Sequence, residues 1–164
     1  MRDILRLIVL LPLLLLGACA SLPEEVAEES SPPAQGVADH GKGAEVVIFA
    51  MSLIDTGYRF GGKNPEAGLD CSGMVSYIYG KAAGVKLEGS AAQMARLGRR
   101  VGYREIQPGD LVFFNTRNRP RSHVGIYVGD GKFVHAPQSR GKVKVSSLRS
   151  GYFAERFEEA RRYL

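Results

Sequence analysis

Apolar residues recur every three or four positions through the first half of the folded part of the chain. This spacing predicts amphipathic helices over residues 44–56, 70–83 and 90–97. A glycine follows each of the three segments, which is typical of a helix end. We therefore expect three helices before residue 100.

The pattern changes after residue 107, where apolar residues form continuous or alternating runs separated by turn residues. Such runs predict short strands. The predicted strands cover residues 111–114, 123–128, 132–136 and 141–145. Apolar residues from 153 to 164 fit a helical stripe equally well, although the segment ends in strand-like residues. Helices followed by a series of strands indicate an α+β domain.

The amino-terminal eighteen residues have a different character. Arg2 and Arg6 precede an apolar run over residues 7–16 that is short for a membrane span but suits a secretory signal peptide. Small residues then precede Cys19, a pattern that resembles the lipobox of bacterial lipoproteins. The resemblance implies cleavage before Cys19 and lipid on its thiol. An ordinary signal peptide cut nearby, with an incidental Cys19, is the alternative.

Residues 19–39 are rich in proline, glutamate and serine and poor in apolar side chains. This composition predicts a disordered tether, which follows the cysteine that the lipobox resemblance implies is lipidated. The predicted organisation is thus a signal peptide over 1–18, a tether over 19–39 and a folded domain over 40–164. An exported, lipid-anchored protein follows, and Ala20 favours the outer membrane facing the periplasm if the host is Gram-negative.

The formal net charge is +5. No run of Lys and Arg alternates with aromatic residues, so nucleic acid is a poor candidate partner. A basic exported domain could bind an anionic polymer such as the cell wall, or a lipid surface. An ordinary solvated surface explains the same charge.

Cys71 is predicted at the start of the second helix. Asp70 suits the N-cap position, which leaves Cys71 near the positive end of the helix dipole, where thiolate is favoured. Lipidation of Cys19, the other cysteine of the chain, would leave Cys71 without a disulfide partner. A reactive nucleophile is one explanation, and a packed, inert cysteine is the other.

His123 and His135 lie on the two arms of one predicted hairpin. A two-residue turn would point the two imidazoles to opposite faces of the sheet. A three-residue turn, Gly129–Gly131, places His135 opposite Gly125 and diagonal to His123. We expect this second register, with the imidazoles meeting over Gly125 and the helix end approaching the strand there.

This arrangement suits a cysteine hydrolase. Cys71 would be the nucleophile, His123 the base and His135 the group that orients the base. The same three side chains could in principle bind zinc, but no acidic partners for such a site are evident, and we expect neither a metal nor another cofactor.

Four short motifs occur in one order: 70–73 (DCSG), 108–114 (PGDLVFF), 123–127 (HVGIY) and 134–136 (VHA). Together they resemble the NlpC/P60 cysteine peptidases. The resemblance implies a papain-like α+β domain in which N-terminal helices pack on a small antiparallel sheet, with a strand from about Phe157. It also implies a catalytic triad of Cys71, His123 and His135, with Tyr58 near the oxyanion and Asp70 and Ser72 in contact with substrate.

Within the family, the chain looks most like the lipoprotein murein endopeptidases of the Spr/MepS type, which cut D-Ala–diaminopimelate cross-links. Cleavage of γ-D-glutamyl–diaminopimelate bonds is the alternative. A lipid acyl-ester hydrolase or acyltransferase and a non-catalytic wall-binding lipoprotein are less favoured. The expected partners are peptidoglycan stem peptides and, through Cys19, a membrane. Control by a protease or an adaptor is a further expectation.

Overall fold

The computed structural model describes residues 34–137 and 141–164. The predicted signal peptide, Cys19 and most of the predicted tether lie outside these residues. Among the residues that the structure does describe, no helix combines the length and the apolar character needed to cross a membrane.

Within these two ranges, three α-helices precede a six-stranded sheet. The helices are α1 (Ala34–Ser52), α2 (Cys71–Ile78) and α3 (Ala91–Met94), and α2 continues as a π-helical turn (Tyr79–Ala83). The strands are β1 (Lys63–Asn64), β2 (Gly68–Leu69), β3 (Arg99–Val101), β4 (Leu111–Phe114), β5 (His123–Gly129), β6 (Lys132–His135), β7 (Lys144–Ser147) and β8 (Phe157–Arg162). Short 3₁₀ helices cover Tyr103–Glu105 and Ala154–Arg156.

Helix α1 begins ten residues before the predicted start, inside the segment interpreted as tether. The proline, glutamate and serine content of residues 19–39 predicts a tether there, and the glycines within α1 also lower its helix propensity. Gly43 has a packing role that the sequence does not reveal. A Cβ atom there would lie 2.7 Å from the carbonyl oxygen of Pro108, so glycine lets α1 approach the turn before β4.

The other two helices start where their caps predict. The Asp70 side chain caps α2, and Gly84 ends the following π-helical turn in a left-handed conformation, with φ of 67°. Ser90 forms a capping box with Gln93 at the start of α3, which is shorter than predicted.

The large sheet is antiparallel, with strand order β3-β8-β4-β5-β6-β7. The strand expected from about Phe157 is β8, so a helical tail is excluded. Strand β3 was not predicted, because two of its three residues are exposed arginines. Strand β7 begins later than predicted, because the backbone of Val143 instead bonds to Asp55 and Thr56.

The sheet is covered on both faces. Leu111 and Phe113 of β4 pack with the helices, whereas Val112 and Phe114 face a second apolar cluster. All four side chains are fully buried, as their continuous apolar run predicts. The α+β architecture, with helices packed on a small antiparallel sheet, is therefore confirmed.

The β5–β6 hairpin has the expected register with a different turn. Ile126 lies opposite Val134, and continuing this register places Gly125 opposite His135. Asp130 and Gly131, both at positive φ, form a two-residue tip, and an irregularity at Val128 supplies the extra residue. The bulge thus restores the register expected of a three-residue loop.

Gly73 and Gly80 form a matched pair for testing how α2 is seated. A Cβ atom on Gly73 would collide with the carbonyl oxygen of Gly62, whereas a Cβ atom on Gly80 would meet nothing within 4 Å. We expect Gly73→Ala to lower the free energy of unfolding by about 1–3 kcal/mol, because backbone must move. Gly80→Ala should leave it unchanged or raise it by up to about 1 kcal/mol. Urea titration compares the two, and equal stabilities would contradict the close approach.

Candidate active site

Cys71 is the first residue of α2 and is half-buried with a free thiol. Asp70 fixes the backbone around it. Its Oδ1 accepts bonds from the Gly73 N–H (2.7 Å) and the Ser72 hydroxyl (2.9 Å), and its Oδ2 accepts from the Gly61 N–H (2.9 Å). The carboxylate therefore joins the first turn of α2 to the loop after Tyr58.

The pKa of the Cys71 thiol is raised above its usual value, which opposes the thiolate that the helix start was expected to favour. Burial is the largest cause, and the charge of Asp70 adds to it. The backbone N–H groups of Val124 and Ser72 favour thiolate, but they are outweighed. Burial in the free site thus favours the neutral thiol over the thiolate.

The two histidines are hydrogen-bonded to each other. His123 Nε2 lies 2.9 Å from His135 Nδ1, and the two rings are nearly perpendicular, at 89°. His135 Nε2 lies 2.9 Å from the Ser146 hydroxyl. Of the four ring nitrogens, His123 Nδ1 is the one that takes part in neither of these two bonds.

Ser146 is a site residue that the sequence did not single out. It lies on β7, two residues after Lys144, the strand partner of His135, and so on the same face. The signal was present in that alternation, but the predicted strand ended at residue 145.

An aromatic cluster encloses the histidine pair. Phe153 stacks on His123, with ring centroids 5.8 Å apart, and contacts His135 edge-on at 4.7 Å. Phe114 and Phe133 border the same pair. Burial in this setting lowers the pKa of both histidines. Both rings are therefore neutral at neutral pH.

Gly125 has a different role from the one expected. A Cβ atom at Gly125 would lie 2.5 Å from the Phe133 ring, so the glycine makes room for this aromatic side chain and not for the end of α2. The close approach of α2 occurs at Gly73 instead.

Cys71 and His123 come together where α2 meets β5. The Val124 N–H that faces the Cys71 sulfur belongs to the residue directly after His123. Beside Cys71 is a cleft of about 380 Å³, which Tyr58, Asp70 and Ser72 also line. Burial raises the pKa of Tyr58, so its hydroxyl keeps its proton. Tyr58, Asp70 and Ser72 thus line the same cleft as the thiol, and both Asp70 oxygens already accept backbone bonds.

Within residues 34–137 and 141–164, no group of three or more His, Cys, Asp or Glu side chains is close enough to hold a metal ion. The two imidazoles use facing nitrogens to bond to each other. The arrangement is suited to proton transfer next to a thiol.

The profile of the NlpC/P60 family matches residues 55–162, about two thirds of the chain and all of the site residues above. The chain belongs to the NlpC/P60 family. The solved NlpC/p60 domain of the peptidoglycan hydrolase SagA is similar, with a TM-score of 0.64 at 34% identity over 74% of this chain and 98% of that one. An NlpC/P60 family protein from Bacillus cereus gives a TM-score of 0.69 at 29% identity, over 74% of this chain and 40% of that one.

Curated relatives in the NlpC/P60 family carry names that describe different activities. Gamma-DL-glutamyl hydrolase of Bacillus subtilis is 41% identical over 72% of this chain and 29% of its own length. Murein DD-endopeptidase MepH of Escherichia coli is 37% identical, over 70% and 43%. Murein DD-endopeptidase MepS/Murein LD-carboxypeptidase of Escherichia coli is 39% identical, over 65% and 55%. The chain therefore spans between 29% and 55% of the length of these relatives.

Replacing Asp70 by Asn should lower the pKa of the Cys71 thiol. The negative charge that raises this pKa is removed, while an amide oxygen still caps α2. The measurement is the pH dependence of Cys71 alkylation by iodoacetamide. Asp130→Asn, in the exposed hairpin turn, is the matched control and should leave the profile unchanged. An Asp70→Asn profile shifted to higher pH would contradict this electrostatic assignment.

Proposed function

We propose that this chain is a cysteine-type hydrolase that cleaves peptide bonds in peptidoglycan. The observation that carries the proposal is the buried pair formed by His123, at the start of β5, and His135, at the end of β6, close to the thiol at the start of α2. Membership of a family whose relatives carry murein endopeptidase names supports this substrate class.

In the proposed mechanism, the Cys71 sulfur attacks the peptide carbonyl carbon while His123 Nδ1 takes the thiol proton. A neutral imidazole and a neutral thiol are the starting state, because burial disfavours both charged forms. The imidazolium then gives this proton to the leaving amine as the C–N bond breaks. His123 next takes a proton from water, which attacks the acyl-enzyme and releases the carboxylate product and the thiol.

His135 orients His123 through the hydrogen bond between His123 Nε2 and His135 Nδ1, and the Ser146 hydroxyl in turn orients His135. The negative oxygen of the intermediate would be stabilised by the Cys71 backbone N–H at the start of α2 and by the Tyr58 hydroxyl. Loss of one such donor typically lowers turnover by ~10²–10³-fold.

The bond we favour is the D-Ala–diaminopimelate cross-link, which agrees with the DD-endopeptidase names of two relatives. Cleavage of a γ-D-glutamyl–diaminopimelate bond within one stem is the second candidate. The gamma-DL-glutamyl hydrolase name of the 41% identical relative favours it.

We also propose that lipid on Cys19 anchors the enzyme to the cell envelope. The proposal is based on the signal-like segment and the small residues before Cys19. Several acyl chains would hold the protein firmly, since one chain alone binds membranes only marginally. Such an anchor would keep the cleft near the wall, where a protease or an adaptor could limit its action.

The test of activity is mass spectrometry of purified muropeptides after incubation with the full chain. Cross-linked dimers and uncross-linked tetrapeptide monomers are tested separately. We expect dimers to become monomers with the wild-type chain and with Cys19→Ser, but not with Cys71→Ala. These two variants are matched, because the chain has two cysteines.

If the monomer stems are shortened instead, the bond that the chain cleaves is the γ-D-glutamyl bond and not the cross-link. Unchanged muropeptides with the wild-type chain would contradict the proposed function, and cleavage that survives Cys71→Ala would contradict the proposed nucleophile.

A further inference from the structure

The loop between β4 and β5 carries three arginines, Arg117, Arg119 and Arg121, along the cleft that contains Cys71. The loop is folded into a fixed shape. The Ser122 hydroxyl accepts bonds from the backbone N–H groups of Thr116 (2.9 Å) and Arg117 (3.2 Å), which closes the loop at its base. The cationic side chains are therefore presented on a defined wall and not on a loose segment.

Arg121 has a structural partner. Its Nε donates to Oε1 of Glu159 at 2.7 Å, and the Glu159 side chain is only 2% exposed. Its backbone N–H donates to Glu158 at 2.5 Å. These bonds tie the end of the loop to β8, and the charge of Arg121 is used in holding the loop in place.

The other two arginines have no such partner. Within the described ranges 34–137 and 141–164, no carboxylate lies within 4.0 Å of Arg117 or Arg119, and both residues are exposed. Asp70 also lines the cleft, and its two oxygens accept bonds from Gly61, Ser72 and Gly73, which are neutral donors and leave its negative charge in place. The cleft lining therefore carries two arginines without a carboxylate partner against the single carboxylate of Asp70, and its net charge is positive.

Arg117 is the arginine whose charge acts on the side chains of the proposed reaction. Burial is the largest cause of the pKa shift at Tyr58, Cys71 and His123, but the charge of Arg117 also acts on all three: it opposes the rise at Tyr58 and Cys71 and adds to the fall at His123. A guanidinium in this position presents a planar fork that matches a carboxylate.

We propose that Arg117 is the main cation of an anion-binding subsite, assisted by Arg119, that holds a substrate carboxylate close to the bond being cut. The identification of this carboxylate as one of peptidoglycan rests on the proposed function. In a D-Ala–diaminopimelate cross-link, the leaving amine carries a carboxylate on its α-carbon. In a γ-D-glutamyl bond, the acyl side carries the glutamyl α-carboxylate.

The subsite can be tested without any wall substrate. Iodoacetate and iodoacetamide alkylate the same thiolate, but only iodoacetate carries a carboxylate next to the reacting carbon. The ratio of their rates at Cys71 therefore reports anion binding, and a change in the thiol pKa cancels from it. Cys19→Ser restricts the reaction to Cys71 and serves as the background.

We expect Arg117→Gln to lower the iodoacetate-to-iodoacetamide ratio by about tenfold, since bonds to charged groups have that strength. Arg117→Lys should retain part of the preference, because the charge remains but the fork is lost. Arg104→Gln is the matched control, since Arg104 is exposed but lines a different cavity, and it should change nothing. A ratio that is unchanged in Arg117→Gln would overturn the subsite.

The substrate carboxylate is tested with muropeptides that carry either a carboxylate or a carboxamide beside the scissile bond. Arg117→Gln should lower kcat/KM by about tenfold for the carboxylate form and little for the carboxamide form. Equal losses on both forms would overturn substrate recognition by Arg117. If the alkylation ratio falls but the wild-type chain cleaves no muropeptide, the anion subsite stands and the proposed function fails.

Discussion

The hydrogen bond between His123 Nε2 and His135 Nδ1 constrains everything else in the site. Two imidazoles can share this bond inside an apolar enclosure only while at least one nitrogen accepts, and burial holds both rings neutral. The bond directs the second nitrogen of His123 away from the pair. Phe153 and the Ser146 hydroxyl then fix the two rings from outside.

The positions of the thiol and the His123 imidazole follow from where α2 and β5 begin. Helix α2 begins at Cys71 and strand β5 begins at His123, so both side chains stand at element termini where their backbones meet. Asp70 secures the helix start but raises the thiol pKa, a conflict between capping and reactivity. Gly73 and Gly125 have no side chain. The loop before β1 can therefore pack closely on α2 at Gly73, and the Phe133 ring can pack closely on β5 at Gly125.

Local signals in the sequence predicted most of this framework. Asp70 marked the start of α2, the apolar run at 111–114 marked a buried strand, and glycines near 130 marked the hairpin. Tertiary contacts decided what the sequence did not predict. The role of Gly125 depends on Phe133, the thiol pKa depends on burial against β5, and Ser146 contributes only because β7 lies beside β6. Helix α1 contains Gly43, whose missing Cβ lets the helix approach the carbonyl oxygen of Pro108.

The most direct test of the central claim is ¹⁵N NMR of the imidazole nitrogens across pH, in the wild-type chain and in Cys71→Ala. A resting site of neutral thiol and neutral imidazole predicts that His123 and His135 both stay neutral well below pH 6.5, the ordinary histidine pKa. Removal of the thiol should then leave their protonation unchanged. A His123 imidazolium near neutral pH that disappears in Cys71→Ala would show a thiolate–imidazolium pair and contradict the account.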